Sequence, residues 1–394
     1  MTSRTIDVAF TPLGTNWQGG RTLVMNAIRA LRLARSTEAH VRILGSDSQG
    51  SSEYARAAGA DGVVMYEAPP RWSLERVRNA LGVRLGKHNA SLGSTLERAG
   101  VQVLVGESVN WHLGNVATIG WLQDFQHVHL PALFSPTETA LRDRKFQQTM
   151  RLADRLFASP CCAEDARKFA PEFSHKLRPI RPYSSIDTRL YERDCRSVVT
   201  RFGLPERFLY VPNQFWTHKN HLGLLEALRI LRGRGVRPHV VFTGSTHDYR
   251  DPEHFPSLQA RIREWELTDW VHYLGIVEHE VVYDLIRQSL CVVNPSLFEG
   301  WGFSVDEAAA IGKRILSSDI PAHRDQQAPA CEYFDPRSVD EIADKIEQVW
   351  LSAAPGPDLT LEARARQCMP RRIDELAQSL LSGLQEAVSA HAAQ

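Results

Sequence analysis

The chain has 394 residues, 43% of them hydrophobic and 23% charged. That length predicts two or three domains with ample core material, and the composition excludes a peptide scaffold, a disordered tail, collagen and a coiled-coil rod. Lys+Arg and Asp+Glu both number 46, so the chain as a whole has no excess charge with which to grip a nucleic-acid backbone, and no nucleic-acid partner is expected. The balance hides an asymmetry. Residues 1–185 hold 23 basic and 16 acidic side chains, which leaves 23 and 30 for the remainder. This is either scatter between two domains or a basic first domain suited to anionic lipid surfaces and phosphate-bearing acceptors. No run approaches the roughly 18–20 apolar residues of a membrane span, and the start MTSRTIDVAF lacks the apolar stretch of a signal peptide. The six cysteines form no C-x-x-C, so they are read as reduced thiols in a cytoplasmic protein without a metal site.

Short β-branched runs alternate with helix-period segments, the pattern of βα units around parallel sheets. In the first half the strand candidates are Ile6–Phe10, Val41–Leu44, Val63–Met65, Val101–Val105, Ile119–Leu122 and Leu156–Ser159. The stretch 171–188 is rich in proline and poor in periodicity, and the domain link is placed there. A second series follows, with strands near Phe208–Val211, His239–Thr243, Val271–Leu274, Leu290–Asn294, Arg314–Ser317 and Cys331–Phe334. Helices are expected at about 220–232, 256–266, 278–287, 304–312 and 338–350. Pro355, Gly356 and Pro357 then break the chain ahead of a last amphipathic helix carrying Ile373, Leu376, Leu380 and Leu384. The predicted organisation is an α/β protein of two doubly wound parallel-sheet domains, 1–185 and 186–370, with a helix over 371–394 that packs outside the second sheet or returns to the first domain.

In such sheets ligands bind beyond the carboxyl ends of the strands, so four strand-to-helix segments carry the search. The strongest is 294–310, where a buried strand, a loop with Gly300 and Gly302 and a helix start at Ser304 follow one another. A helix start offers unpaired N–H groups and the positive dipole end, and glycines admit a ligand to the backbone, so a phosphate is the natural guest. Ser304 and Glu307 also fit an S-x-x-E capping box, which needs no ligand. Glu299, a carboxylate in a Gly-rich loop, caps nothing obvious and is either a ligand group or a solvated acid. In the segment 211–221, Lys219 sits at a helix N-terminus, where the macrodipole disfavours a cation by about 0.3–1 kcal/mol unless an anion lies between them; a solvated lysine is the alternative. The segment 10–22 lacks both G-x-G-x-x-G and the P-loop pattern, so Gly19 and Gly20 suggest either a loop close against a ligand or a plain turn. In the segment 121–131, Asp124, His127 and His129 among aromatics resemble a sugar-recognising surface. A metal held by His127 and His129 is disfavoured, because i, i+2 side chains diverge on an extended backbone.

The run P-S-L-F-E-G-W-G-F-S-V-D-E-A-A-A-I-G at 295–312 resembles the E-x(7)-E region of retaining glycosyltransferases of family 4, which have the GT-B fold of two facing Rossmann-like domains. The resemblance extends over most of 205–350 and rests on fewer residues in the first half. It implies that Glu299 binds donor-sugar hydroxyls and that the backbone at Gly302, Phe303 and Ser304 holds a diphosphate. Glu307 would bind the ribose, and Lys219 would neutralise the diphosphate. Ile276 and Val277 would frame the base, Asn213, Gln214, His218 and Gly244 would complete the donor pocket, and His127 with Asp124 would approach the donor sugar. The family's usual Arg about five residues before the lysine is replaced here by Gln214, so His218, Arg21 or helix amides would have to compensate. The implied reaction is hexosyl transfer from a nucleoside-diphosphate sugar, GDP-mannose-like or a UDP-sugar, to a glycan or lipid-linked acceptor with anomeric retention. It calls for no cofactor and no divalent metal. Arg71, Trp72, Arg76, Arg142, Arg144 and Lys145 hint at an anionic or lipid acceptor and at peripheral membrane contact. The alternatives are a non-catalytic sugar-nucleotide-binding subunit and a GT-B epimerase or phosphorylase; the missing glycine fingerprint argues against an NAD-dependent oxidoreductase.

Overall fold

The computed structural model describes residues 5–12, 18–70, 73–74, 76–77 and 88–394. The loop positions Leu13 to Trp17, and Arg71 and Trp72, lie outside the described residues.

The first unit is built from residues up to His127, Ser135–Ser185 and Arg371–Gln394. Its strands are β1 Ile6–Phe10, β2 Ala39–Gly45, β3 Gly62–Met65, β4 Val103–Gly106, β5 Ala117–Trp121, β6 Arg155–Ala158 and β7 Leu177–Pro179. They pair in parallel in the order β3-β2-β1-β4-β5-β6-β7. Each run is short and apolar because a parallel strand is covered on both faces; β5 is buried at every position. The helices start where side chains satisfy orphan amides: Asp47, Asn89 and Ser159 accept first-turn N–H groups, and Ser135 forms a full capping box with Glu138. The strand β7 falls inside the stretch 171–188 that the sequence reading treats as a link. It has only three residues and ends in Pro179, which an edge position tolerates, so neither length nor composition announces it. The chain passes to the second unit between Ser185 and Ile186.

The second unit comprises Val128–Phe134 and Ile186–Pro370. Its strands β8 Leu209–Val211, β9 Val240–Phe242, β10 Val271–Tyr273, β11 Val292–Asn294, β12 Ile315–Ser318 and β13 Cys331–Phe334 are again parallel, in the order β10-β9-β8-β11-β12-β13. Numbered within the unit this is the Rossmann order 3-2-1-4-5-6, whose direction reverses between β8 and β11. The helices His221–Gly233 and Val339–Ser352 bury Leu224, Leu228 and Ile346 against Leu209, Val211, Val240, Val293 and Leu316 of the sheet. One excursion departs from the expected 1–185 span: Val128–Phe134 groups with the second unit, where His129 stacks on Phe298 at 4.9 Å between ring centroids.

The last helix also differs from expectation. It begins at Leu359, directly after the Pro355–Pro357 break, and runs through Pro370 to Ala392. The unit boundary falls at Pro370, where the ring deletes a helical hydrogen bond. Beyond it Leu376, Ala377, Leu380, Leu381 and Leu384 are buried, and the helix is tied to the first unit by Asp374 with Arg35 at 2.6 Å and by Glu386 with Arg178.

Candidate active site

The reversal between β8 and β11 opens a crevice at the carboxyl ends of these strands, and the loops that follow them fill it with polar side chains. Asn294 closes β11. Its Oδ1 accepts the Ser296 N–H at 3.1 Å, and its Nδ2 donates to Ser304 Oγ at 2.8 Å. The Ser304 hydroxyl donates in turn to Asn213 Oδ1, 3.2 Å away in the loop after β8. All three side chains are buried, so this chain clamps the two loops together, as a satisfied polar network in a low dielectric does. Asn213 Nδ2 is left buried without a hydrogen-bond partner among the described residues.

The helix Phe303–Ile311 starts here, and its cap is Gly302 at φ 90, not Ser304. The capping box that the S-x-x-E spacing allows does not form, because the Ser304 hydroxyl is committed to Asn213. Gly302 is needed twice over: its φ is left-handed, and a Cβ would lie 2.9 Å from His323 Nε2. The first-turn amides at Phe303 and Ser304 have no helical acceptor.

Lys219 reaches across from the loop after β8 and donates to Glu299 Oε1 at 2.6 Å, with both side chains nearly buried at 13% and 9% exposure. Burial alone would push the Glu299 carboxyl up; Lys219 instead holds it down at about 2. Ser296 Oγ lies 2.7 Å from the same Oε1. His218 is buried, which lowers it to about 3 with Lys219 adding to the effect, so it is a neutral imidazole. Its Nδ1 faces Arg250 Nη2 at 3.4 Å. Arg250 belongs to the loop after β9, where its Nε donates to Asp248 Oδ1 at 3.2 Å, and Asp248 Oδ2 accepts the Thr217 N–H at 3.1 Å. The loops after β8 and β9 also touch at Gly244, φ 132, whose Cβ would stand 2.7 Å from Asn213 O. On the helix, Glu307 Oε1 pairs with His279 Nε2 at 2.8 Å. Ile276 projects at 74% exposure from the loop after β10, with Val277 half-buried beside it.

The second unit therefore brings together Lys219, Glu299, His218, Asn213, Gly302, Phe303, Ser304 and Glu307, with Gln214 in the same loop as Lys219. The remaining candidates lie in the first unit with partners of their own. Gly19 and Gly20 form the first turn of the helix Gln18–Ala34 instead of the expected loop. Asp124 Oδ1 accepts from Gln126 N at 2.9 Å and from Arg142 Nη2 at 3.0 Å. His127 is buried among Phe125, Phe146 and Phe169, and its Nε2 meets Asp143 Oδ1 at 3.0 Å. Burial lowers its basicity, with Arg142 next in effect. Arg142 and Lys145, two of the residues that hint at an anionic or lipid acceptor, are paired with Asp124 and Glu107. The sequence reading missed Arg250, Asp248, His279 and His323. The rule that ligands gather at strand carboxyl ends points to the first two, since Asp248 and Arg250 follow β9 by a few residues.

The two sheets and this crevice define a class: an α/β protein whose second Rossmann-like unit presents a lysine–glutamate pair beside a helix start. A family model described as glycosyl transferases group 1 matches residues 197–365. The O-antigen chain mannosyltransferase B of Escherichia coli is 27% identical over 130 residues, 33% of this chain and 33% of that protein; the match thus spans about a third of the relative's length. The Anabaena protein Alr3699/HepE, solved with UDP and glucose, superposes with a TM-score of 0.69 at 15% identity over 96% of this chain and 99% of that one. A glycosyltransferase from Rickettsia africae gives 0.66 at 12% identity over 97% and 98%. The fold is GT-B. Both that family description and the name of the Escherichia coli relative are those of sugar-transferring proteins.

Proposed function

We propose that the protein is a retaining hexosyltransferase that moves a sugar from a nucleoside-diphosphate donor, GDP-mannose or a UDP-sugar, to a glycan or lipid-linked acceptor in cell-surface polysaccharide synthesis. One observation carries this reading: the Lys219 ammonium stands 2.6 Å from the Glu299 carboxylate, beside the start of the helix that bears Glu307. A carboxylate held ionised by its lysine is an acceptor for sugar hydroxyls, and the ammonium that holds it neutralises a phosphate. Glu307 and His279 take the ribose, and Ile276 with Val277 flanks the base. As the bond between the sugar and the diphosphate breaks, charge grows on the leaving phosphate, where Lys219 and the amides of Phe303 and Ser304 oppose it; the acceptor oxygen then attacks from the same face and its proton passes to the departing phosphate oxygen. Neither a covalent nucleophile nor a divalent metal has a part in this scheme. Asp124 and His127 take part in recognising the sugar. The protein works in the cytoplasm with peripheral membrane contact; no helix among the described residues is long and apolar enough to cross a membrane.

A thermal-shift panel of UDP- and GDP-sugars tests the donor, because a ligand at 100 times its Kd adds about 2.7 kcal/mol to the native state. One or more should raise the melting temperature by several degrees, and the best should support transfer to a glycan acceptor with the anomeric configuration retained. A flat panel would remove the donor reading. Binding without turnover on any acceptor would leave only a sugar-nucleotide-binding subunit.

A further inference from the structure

A nucleoside diphosphate carries more than one full negative charge at neutral pH, since a terminal phosphate alone holds about −1.5 to −2. The positive charge identified so far does not match it. Lys219 supplies a single charge, Gln214 is neutral, and Arg21 stands over the Tyr54 ring at 5.3 Å in the first unit. The loops that follow β8, β9, β10 and β11 contain two Lys or Arg side chains between them, Lys219 and Arg250.

We propose that Arg250 is the second cation of the site and grips the diphosphate of the nucleotide donor, a role that rests on the donor reading above. Its position is set by two tethers. Nε donates to Asp248 Oδ1 at 3.2 Å, and the other oxygen of Asp248 holds the Thr217 amide at 3.1 Å, two residues before Lys219. The loop bearing Arg250 is thereby tied to the loop bearing Lys219, and His218, next to Lys219 in the chain, meets Arg250 at 3.4 Å. The guanidinium is nearly buried, with its carbon 5.4 Å from the Phe134 ring centroid, 6.0 Å from Trp216 and 5.5 Å from Tyr249. Aromatic walls of this kind fix the plane of an arginine fork and lower the dielectric around it. The contact of Nη2 with the neutral His218 ring is 3.4 Å, well beyond the ~2.7–2.9 Å of a charge-assisted bond.

The experiment compares UDP, GDP, CDP and ADP with their monophosphates by calorimetry on the full chain. For the base that binds, the ratio of monophosphate to diphosphate Kd is taken for the wild type, Arg250→Met and Arg250→Lys. Methionine keeps the aliphatic stem, and lysine restores a point charge without the fork. The ratio should fall at least tenfold in the methionine variant and by about threefold in the lysine variant. Because both nucleotides are read on the same folded molecules, partial unfolding cancels. An unchanged ratio in the methionine variant, or in the lysine variant if methionine prevents folding, overturns the role of Arg250 and leaves the donor reading standing. A wild type that binds none of the diphosphates overturns both.

Discussion

Removing the Lys219 ammonium separates what the Lys219–Glu299 pair does for folding from what it does for a ligand. In Lys219→Met the Glu299 carboxylate, 9% exposed, loses the charge that holds its pKa down at about 2 against burial. Breaking one side of a buried pair costs about 3–5 kcal/mol, since an uncompensated charge stays behind, and the carboxyl responds by taking up a proton. Glu299→Gln in the same chain removes that charge, so the double variant should recover at least about 2 kcal/mol relative to the summed singles in urea unfolding. Activity should behave differently. A hydrogen bond to a charged group contributes about 1.5–3 kcal/mol, so losing the ammonium lowers kcat/KM on the order of 10²-fold, and the double variant does not recover it. The reasoning fails if Lys219→Met loses less than threefold in kcat/KM, or if the double variant is no more stable than additivity of the singles predicts.

Three further outcomes follow from the packing. His218, His221 and His323 are buried and lowered to about 3, 3 and 4, so they are neutral in the folded state, whereas an unfolded histidine titrates near 6.5. The unfolded state therefore binds more protons below that pH: stability is fully present above about 6.5 and declines toward 3–4. Each histidine removes about 2 kcal/mol between pH 6.5 and 5, and equal urea midpoints at pH 7 and pH 5 would contradict this. Gly302→Ala should cost about 2–4 kcal/mol, from a left-handed φ of 90 and a Cβ 2.9 Å from His323 Nε2, and His323→Ala should return only the contact part. Leu384→Ala, at a fully buried position of the last helix, should cost about 2–5 kcal/mol by denaturation; less than 1 kcal/mol would show that the helix does not help to close the first unit's core.

Most strands could be read from the chain because a parallel strand covered on both faces leaves an uninterrupted apolar run, as at Ile6–Phe10. Where the fold departs from that rule it was not legible. β7 is a three-residue edge strand ending in proline, and the last helix continues through Pro370, where packing outweighs the local penalty. The same division runs through the site. Glu299, Ser304 and Glu307 stand on one strand-loop-helix segment, and their spacing alone places them near one another. Ser304 satisfied a local capping pattern that long-range bonds to Asn213 and Asn294 override. Asp124 and His127 looked like free sugar-facing groups because Arg142 and Asp143, which meet them, lie 16–18 residues further on in the helix Pro136–Leu152. Arg250 shows why such losses concentrate at an anion site. Two cations repel unless each is held by its own carboxylate, and Lys219 and Arg250 have Glu299 and Asp248. Here the two stand on separate loops, those after β8 and β9, so a motif confined to one segment displays only one of them.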